Sequence, residues 1–224
     1  EADYVGAELF GMAIMSGEAE VIVAGGTERM STAPYLARGI RWDGPRMGDF
    51  DMTDSVTMGL ACPIYDYHMG VTAENVAERF EVSRDAQDEL AAASHQRAIT
   101  AQENGYFDGQ ILAYDVPQRR GDPVSVMTDE HPRAGTTVES LSGLRPVFKK
   151  DGSVTAGNSS GINDAAAAVV VMSAERAAAE GITPRMKWVG RGISGVDPSV
   201  MGIGPVPSTR KVLEKTGMAI EDID

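Results

Sequence analysis

The sequence predicts an α/β fold, and three observations carry that expectation. Two short β-type runs, Glu20–Ala24 and Ala166–Met172, are apolar almost throughout and stand far apart in the chain. Each is bordered by stretches whose apolar residues recur at helical spacing. Strand-then-helix patterns return at residues 186–195 and 205–217, so the alternation runs through the chain, and these last two are read as the start of a second domain.

Taken in order, Val5, Leu9, Met12 and Ala13 fall on one helical face, and Gly17 closes that helix. The run Glu20–Ala24 then ends in Gly25-Gly26. A short apolar run between helices is typical of a strand buried on both faces in a parallel sheet. The two glycines are expected to turn the chain sharply at its end.

Residues 32–162 are richer in loops, methionine and charge. Thr72 is expected to cap a helix through about Phe80. Ser83 caps a longer one through about Asn104, stopped by Gly105. On the longer helix Ala86, Leu90, Ala93 and Ala101 form an apolar stripe suited to close helix packing. Ala166–Met172 then resembles a central strand of the first sheet and is followed by a helix over Ala174–Glu180. Residues 32–162 therefore read as an insertion between two strands of one sheet.

Neither end reads as natural. There is no initiator Met, and the opening residues run straight into a helical pattern. The last five, Ile220–Asp224, stop where a connection should lead into a strand, so a truncated chain is expected.

Composition narrows the function. Hydrophobic residues make up 42% and charged residues 24%, the balance of a soluble globular protein. No apolar run approaches the roughly twenty residues of a membrane span. The net charge of −13 repels phosphate backbones, which argues against nucleic acid as a partner. The single cysteine, Cys62, has no partner for an internal disulfide, so a reducing, cytoplasmic setting is expected.

Most chemical motifs are missing. His68, His95 and His131 show no metal-ligand spacing. Gly202-Ile203-Gly204 leads into Pro205 and lacks the Lys-Ser/Thr of a phosphate loop. No Gly-x-Ser-x-Gly elbow occurs. Cys62 precedes Pro63 in a loop-like stretch and reads as an inert small hydrophobe. The many carboxylates fall on helix faces expected to be exposed and solvated. Asn158, Asn163 and Asp164 read as groups that fix a loop through its backbone.

Six segments nevertheless stand out together. They are Val23–Ser31 (VAGGTERMS), His68–Ala77 (HMGVTAENVA), Ser83–Asp88 (SRDAQD), Leu144–Phe148 (LRPVF), Thr155–Asp164 (TAGNSSGIND) and Met201–Pro207 (MGIGPVP). In order and spacing they resemble thiolases, the enzymes that make or cleave 3-ketoacyl-CoA thioesters. The resemblance implies a layered αβαβα architecture with an inserted loop domain. Residues 1–31 and 163–180 would belong to the N-terminal half, 32–162 to a loop domain covering CoA, and 181–224 to the start of the C-terminal half. It also implies a homodimer or homotetramer, and coenzyme A as substrate with no separate cofactor.

The family's chemistry needs a nucleophilic Cys at a helix start, a second Cys for proton transfer, and an Asn-bound water with a His as oxyanion hole. Aligned on Val21–Ser31, the nucleophile falls just before Glu1, and the other groups fall beyond Asp224. No catalytic and no metal-binding residue is therefore assigned, and this polypeptide alone is expected to be inactive. Ala2-Asp3-Tyr4 departs from the small residues usual after the nucleophile, and Ala165 stands where the family commonly has Gly.

What the resemblance assigns is CoA binding. His68 and Met69 contact the pantetheine arm, and Met201 reaches it from the second half. Leu144, Phe148, Ala156 and Ser160 line its channel, while Arg133 and Ser140 sit near the nucleotide. A thin arm with two amides suits Met and small residues plus a few polar anchors. Between Arg119 and Lys150 six basic residues face four acidic ones, a local positive balance in an acidic chain. Two classes of function follow: part of an acyl-CoA C-acetyltransferase acting through an acyl-cysteine, or a non-catalytic thiolase-like protein that binds acyl-CoA or serves as a scaffold.

Overall fold

The computed structural model describes residues 11–223. The chain divides into two compact units, Glu1–Met69 with Gly161–Asp224, and Gly70–Ser160.

The first unit opens with the end of a helix (α1, residues 11–15), closed by Gly17 at φ +78° with the Glu18 amide donating to Ala13 O at 2.9 Å. Val5 and Leu9 lie outside the described residues. Strand β1 (Val21–Glu28) pairs antiparallel with β6 (Ala165–Met172), in a register from Val21 opposite Met172 to Glu28 opposite Ala165. The strand expected over Ala166–Met172 is there, and it does neighbour the first one.

Two expectations about β1 fail. The pair is antiparallel, because an apolar run records burial and not the direction of its partner. Gly25 and Gly26 do not turn the chain but lie inside the strand. A Cβ on Gly25 would sit 2.8 Å from Ala167 O and 3.3 Å from Ala168 Cβ, so glycine there permits close approach to β6. Ala24 is buried, whereas Val23, Val169 and Val170 are 70%, 51% and 60% exposed among the described residues. Burial of the run on both faces is therefore not seen there.

The far end of this pair is latched. Asp164 accepts the Ser31 amide at 2.9 Å and the Ser31 hydroxyl at 2.5 Å. Those two bonds, hydroxyl first, hold the Asp164 carboxyl below its ordinary value of 3.8, with Arg29 adding in the same direction. A lowered carboxylate pKa contributes stability that is present above the unfolded value and lost as pH falls through the folded one. Protection of the Ser31 amide from hydrogen exchange should therefore hold from about pH 6 down to the ordinary carboxylate range and then collapse. Asp164→Asn should remove that pH dependence; an identical profile in the variant would contradict the latch.

After Met30–Thr32, a 3₁₀ turn, β2 (Tyr35–Leu36) pairs antiparallel with β3 (Thr53–Asp54), with α2 (Ile40–Asp43) between them. Asp54 caps α3 (Ser55–Gly59) by accepting the Val56 amide at 2.9 Å. Helix α4 (Met69–Arg79) starts three residues before the expected cap, and Thr72 lies buried inside it at 2% exposure.

In the second unit α5 (Arg84–Glu103) has the expected ends. The Ser83 hydroxyl accepts the Ala86 amide at 3.1 Å, and Gly105 at φ +70° follows the C-cap. The expected apolar stripe is only partly covered: Ala93 and Ala101 are half-buried. Ala86 is exposed and Leu90 is 68% exposed, and the buried residues of the helix are Asp88 and Ala92. A hairpin of β4 (Tyr114–Val116) and β5 (Val124–Val126), then α6 (Val138–Ser142), complete the unit, with α6 packed on α5.

Back in the first unit, the helix expected over Ala174–Glu180 is α7 (Ala174–Ala179), and the Ser173 hydroxyl caps it by accepting the Arg176 amide. Residues 186–195 pair with no strand among the described residues, so the strand expected there is not formed as a ladder. Instead Gly190 and Gly192 lie against Val212, Thr216 and the Ser208 backbone of α8 (Pro205–Thr216), the helix expected at 205–217.

Candidate functional site

Two buried carboxylates organise the site in the second unit. Glu74 of α4 is 4% exposed. Its oxygens accept the Ser153 amide at 2.8 and 3.0 Å, the Val154 amide at 2.8 Å and the Ser153 hydroxyl at 3.1 Å. Gln87 of α5 donates to the same hydroxyl at 2.9 Å. One side chain thus meets the hydrogen-bond needs of a turn that has no regular secondary structure to do so.

Asp88 of α5 is 1% exposed and joins two loops. Its Oδ2 accepts Arg84 Nε at 2.7 Å, and Arg84 Nη2 reaches on to Leu141 O at 2.6 Å and Leu144 O at 3.2 Å. Its Oδ1 accepts Asn158 Nδ2 at 3.0 Å. Asn158 also donates to Ser153 O and accepts the Thr155 amide, so it fixes the loop through its backbone as the sequence predicts. Thr155, fully buried, accepts the Gly157 amide at 3.2 Å, and Ser159 donates to Thr155 O at 2.6 Å. The expectation that the carboxylates sit solvated on exposed faces fails at these two positions. Desolvation is offset there by convergent N–H donors.

Several of the candidate residues fall on the loops so held. Leu144 is 39% exposed and packs on residue 157, where an added Cβ would lie 2.5 Å from Leu144 Cδ1. That contact brings Leu144 to the segment carrying exposed Ala156. Phe148, half-buried, lays its ring against Gly70, where a side chain would collide with it. Ser160 is exposed just beyond the loop.

Arg133 and Ser140 sit on a separate strap. Gln96 of α5 donates to Ala134 O and Thr136 O, Gln102 donates to Asp129 O, and the Arg133 amide donates to His95 Nδ1 at 3.1 Å. Arg133 is exposed. The Ser140 hydroxyl is occupied in a capping box with Thr137, accepting its amide at 3.0 Å and donating to its carbonyl at 2.8 Å. Of the six cations counted in this stretch, Lys149 is paired with Glu78 at 2.6 Å. The ammonium beside it holds the Glu78 carboxyl below its usual range, and Glu78 raises Lys149 in return.

The first unit carries His68, Met69 and Met201. Ala61 and His68 form an antiparallel bridge, the Cys62 amide donates to Tyr67 O at 2.7 Å, and the Met69 amide donates to Leu60 O at 2.7 Å. That closes a tight loop with Cys62 buried at 5% exposure. Burial raises the Tyr67 phenol, with Cys62, Tyr65 and Asp197 adding to it. Asp197 caps the 3₁₀ turn Pro198–Ile203 by accepting the Ser199 amide, and Met201 is 42% exposed on that turn. Among the described residues no group of three or more His, Cys, Asp or Glu could hold a metal ion.

Glu74, Arg84 and Asp88 escaped the assignment of site residues. Their signal was present: all three lie inside segments that stand out in the sequence, and Arg84 and Asp88 have the i, i+4 spacing of a helical ion pair.

Residues 8–175 match the family described as Thiolase, N-terminal domain, and the chain belongs to the thiolase family. It is 53% identical over 213 residues to the acetyl-CoA acetyltransferase of Pseudomonas aeruginosa, covering 95% of this chain and 54% of that protein. A beta-ketothiolase of Cupriavidus necator is 49% identical over 212 residues, covering 94% and 53%. The Bacillus anthracis acetyl-CoA acetyltransferase structure superposes with a TM-score of 0.91 at 47% identity, covering 99% of this chain and 56% of that one. Human mitochondrial 3-ketoacyl-CoA thiolase in complex with CoA gives 0.90 at 39% identity, covering 100% and 55%. The α/β architecture is thus that of thiolases, and the chain spans about half the length of the relatives it matches. No helix among the described residues is long and apolar enough to cross a membrane.

Proposed function

We propose that this chain serves an acyl-CoA C-acetyltransferase, a thiolase that condenses or thiolytically cleaves 3-ketoacyl-CoA through an acyl-cysteine, and that its own part is CoA binding. The observation that supports this most is the pair of loops held by Glu74 and Asp88. They present Leu144, Phe148 and Ala156 from a rigid backbone, partly open to solvent. A preformed wall of apolar and small side chains suits a pantetheine arm, since little ordering entropy is then lost on binding. Ser160 belongs with that lining, His68, Met69 and Met201 are proposed as pantetheine contacts, and Arg133 and Ser140 as contacts near the nucleotide. Coenzyme A acts as substrate, with no further cofactor, in a cytoplasmic homodimer or homotetramer.

The acyl-accepting cysteine is not among residues 1–224 in this reading, since Cys62 is buried in a loop and sits at no helix start. Thiolysis of acetoacetyl-CoA should therefore be catalysed by the product of the complete reading frame and not by residues 1–224 alone. Turnover by the 224-residue polypeptide above a buffer control would contradict the assignment. A complete product that binds CoA without turnover would favour the non-catalytic, scaffold-like reading.

A further inference from the structure

We propose that Asp88 is a positioning residue for coenzyme A, setting the separation of the two loops that form its wall; the proposal rests on the CoA-binding reading above. The two oxygens of Asp88 go to partners that lead to different loops. Through Arg84 it holds the carbonyls of Leu141 and Leu144, and through Asn158 it holds the turn over residues 153–159. Leu144 packs directly on that turn at Gly157, so both loops share one anchor and one contact. Asp88 is 1% exposed, so both of these bonds are sheltered from competing water.

The chemistry demands a carboxylate. Asp88 faces two N–H donors, Arg84 Nε on one oxygen and Asn158 Nδ2 on the other. The isosteric amide must turn its own NH₂ toward one of them, which creates a buried donor–donor conflict at unchanged volume. One loop is then released whichever way the amide turns. Arg84→Lys keeps the charge but loses the planar fork that reaches both Asp88 and the two carbonyls.

The test is a CoA titration of the complete protein, unsubstituted and as Asp88→Asn, Arg84→Lys and Ala92→Gly, well below each melting temperature. Ala92 is buried on the same helix and bonds neither loop through its side chain, so Ala92→Gly reports loss of stability alone. The proposal expects CoA affinity to fall about tenfold in Asp88→Asn and in Arg84→Lys, and to stay unchanged in Ala92→Gly. Should Asp88→Asn fail to fold, Arg84→Lys carries the decision, because its side chain is 22% exposed and its charge is kept. Unsubstituted affinity in Arg84→Lys, or an equal loss in Ala92→Gly, overturns the positioning role while leaving CoA binding intact. Failure of the unsubstituted protein to bind CoA overturns both.

Discussion

Glu74→Ala should destabilise the protein by about 3 kcal/mol, the sum expected when two backbone amides and a hydroxyl lose their acceptor in a part-buried turn. The carboxylate makes four contacts within 3.1 Å and is 4% exposed, so water has little room to replace it. Against a typical total of about 5–15 kcal/mol this is a large fraction. The loss should be local first: the Ser153 and Val154 amides should exchange with solvent far faster than those of α5. Glu78→Ala, one helical turn on, is the contrast. Its carboxylate is 71% exposed in an ion pair with Lys149, and its removal should not move the unfolding midpoint measurably. Equal effects of the two substitutions would mean that burial and convergent donors at Glu74 do not matter.

Much of the fold was legible where a local signal coincided with the final structure. Helix α5 starts and stops where Ser83 and Gly105 predict, because capping and a left-handed C-terminal residue are decided within a few residues. That the two apolar runs lie side by side in one sheet was legible from their composition, though their antiparallel direction was not. Other features depend on partners that a single sequence does not display. Thr72 looked like a cap because Thr often is one, yet it is buried within α4. The glycines of β1 suggested a turn, whereas the neighbouring strand's carbonyl at Ala167 accounts for Gly25. The β4–β5 hairpin passed unseen because Tyr114 and Val124 are 70% and 53% exposed, so the strands lack a sharp apolar alternation.

The site divides in the same way. Its proposed lining rests on the resemblance, since Leu144, Phe148 and Ala156 carry no chemistry of their own. The supports were passed over because carboxylates on helices are solvated far more often than not. A buried one is revealed by what folds onto it, and for Asp88 that is Asn158, seventy residues later.

The largest effect on function should come from Leu144. It is exposed enough, at 39%, for a charged replacement to leave folding intact. It is also placed on the proposed pantetheine wall beside residue 157. Leu144→Asp would set a carboxylate against an apolar arm whose distal phosphates are themselves anionic, so desolvation and repulsion act together. The direct test is calorimetric titration of the complete protein with CoA, beside Leu144→Asp of matched stability. Saturable binding that weakens at least about tenfold in the variant is the predicted result. Absence of binding in the unsubstituted protein, or equal affinity in the two, would contradict the assignment of this chain to CoA recognition.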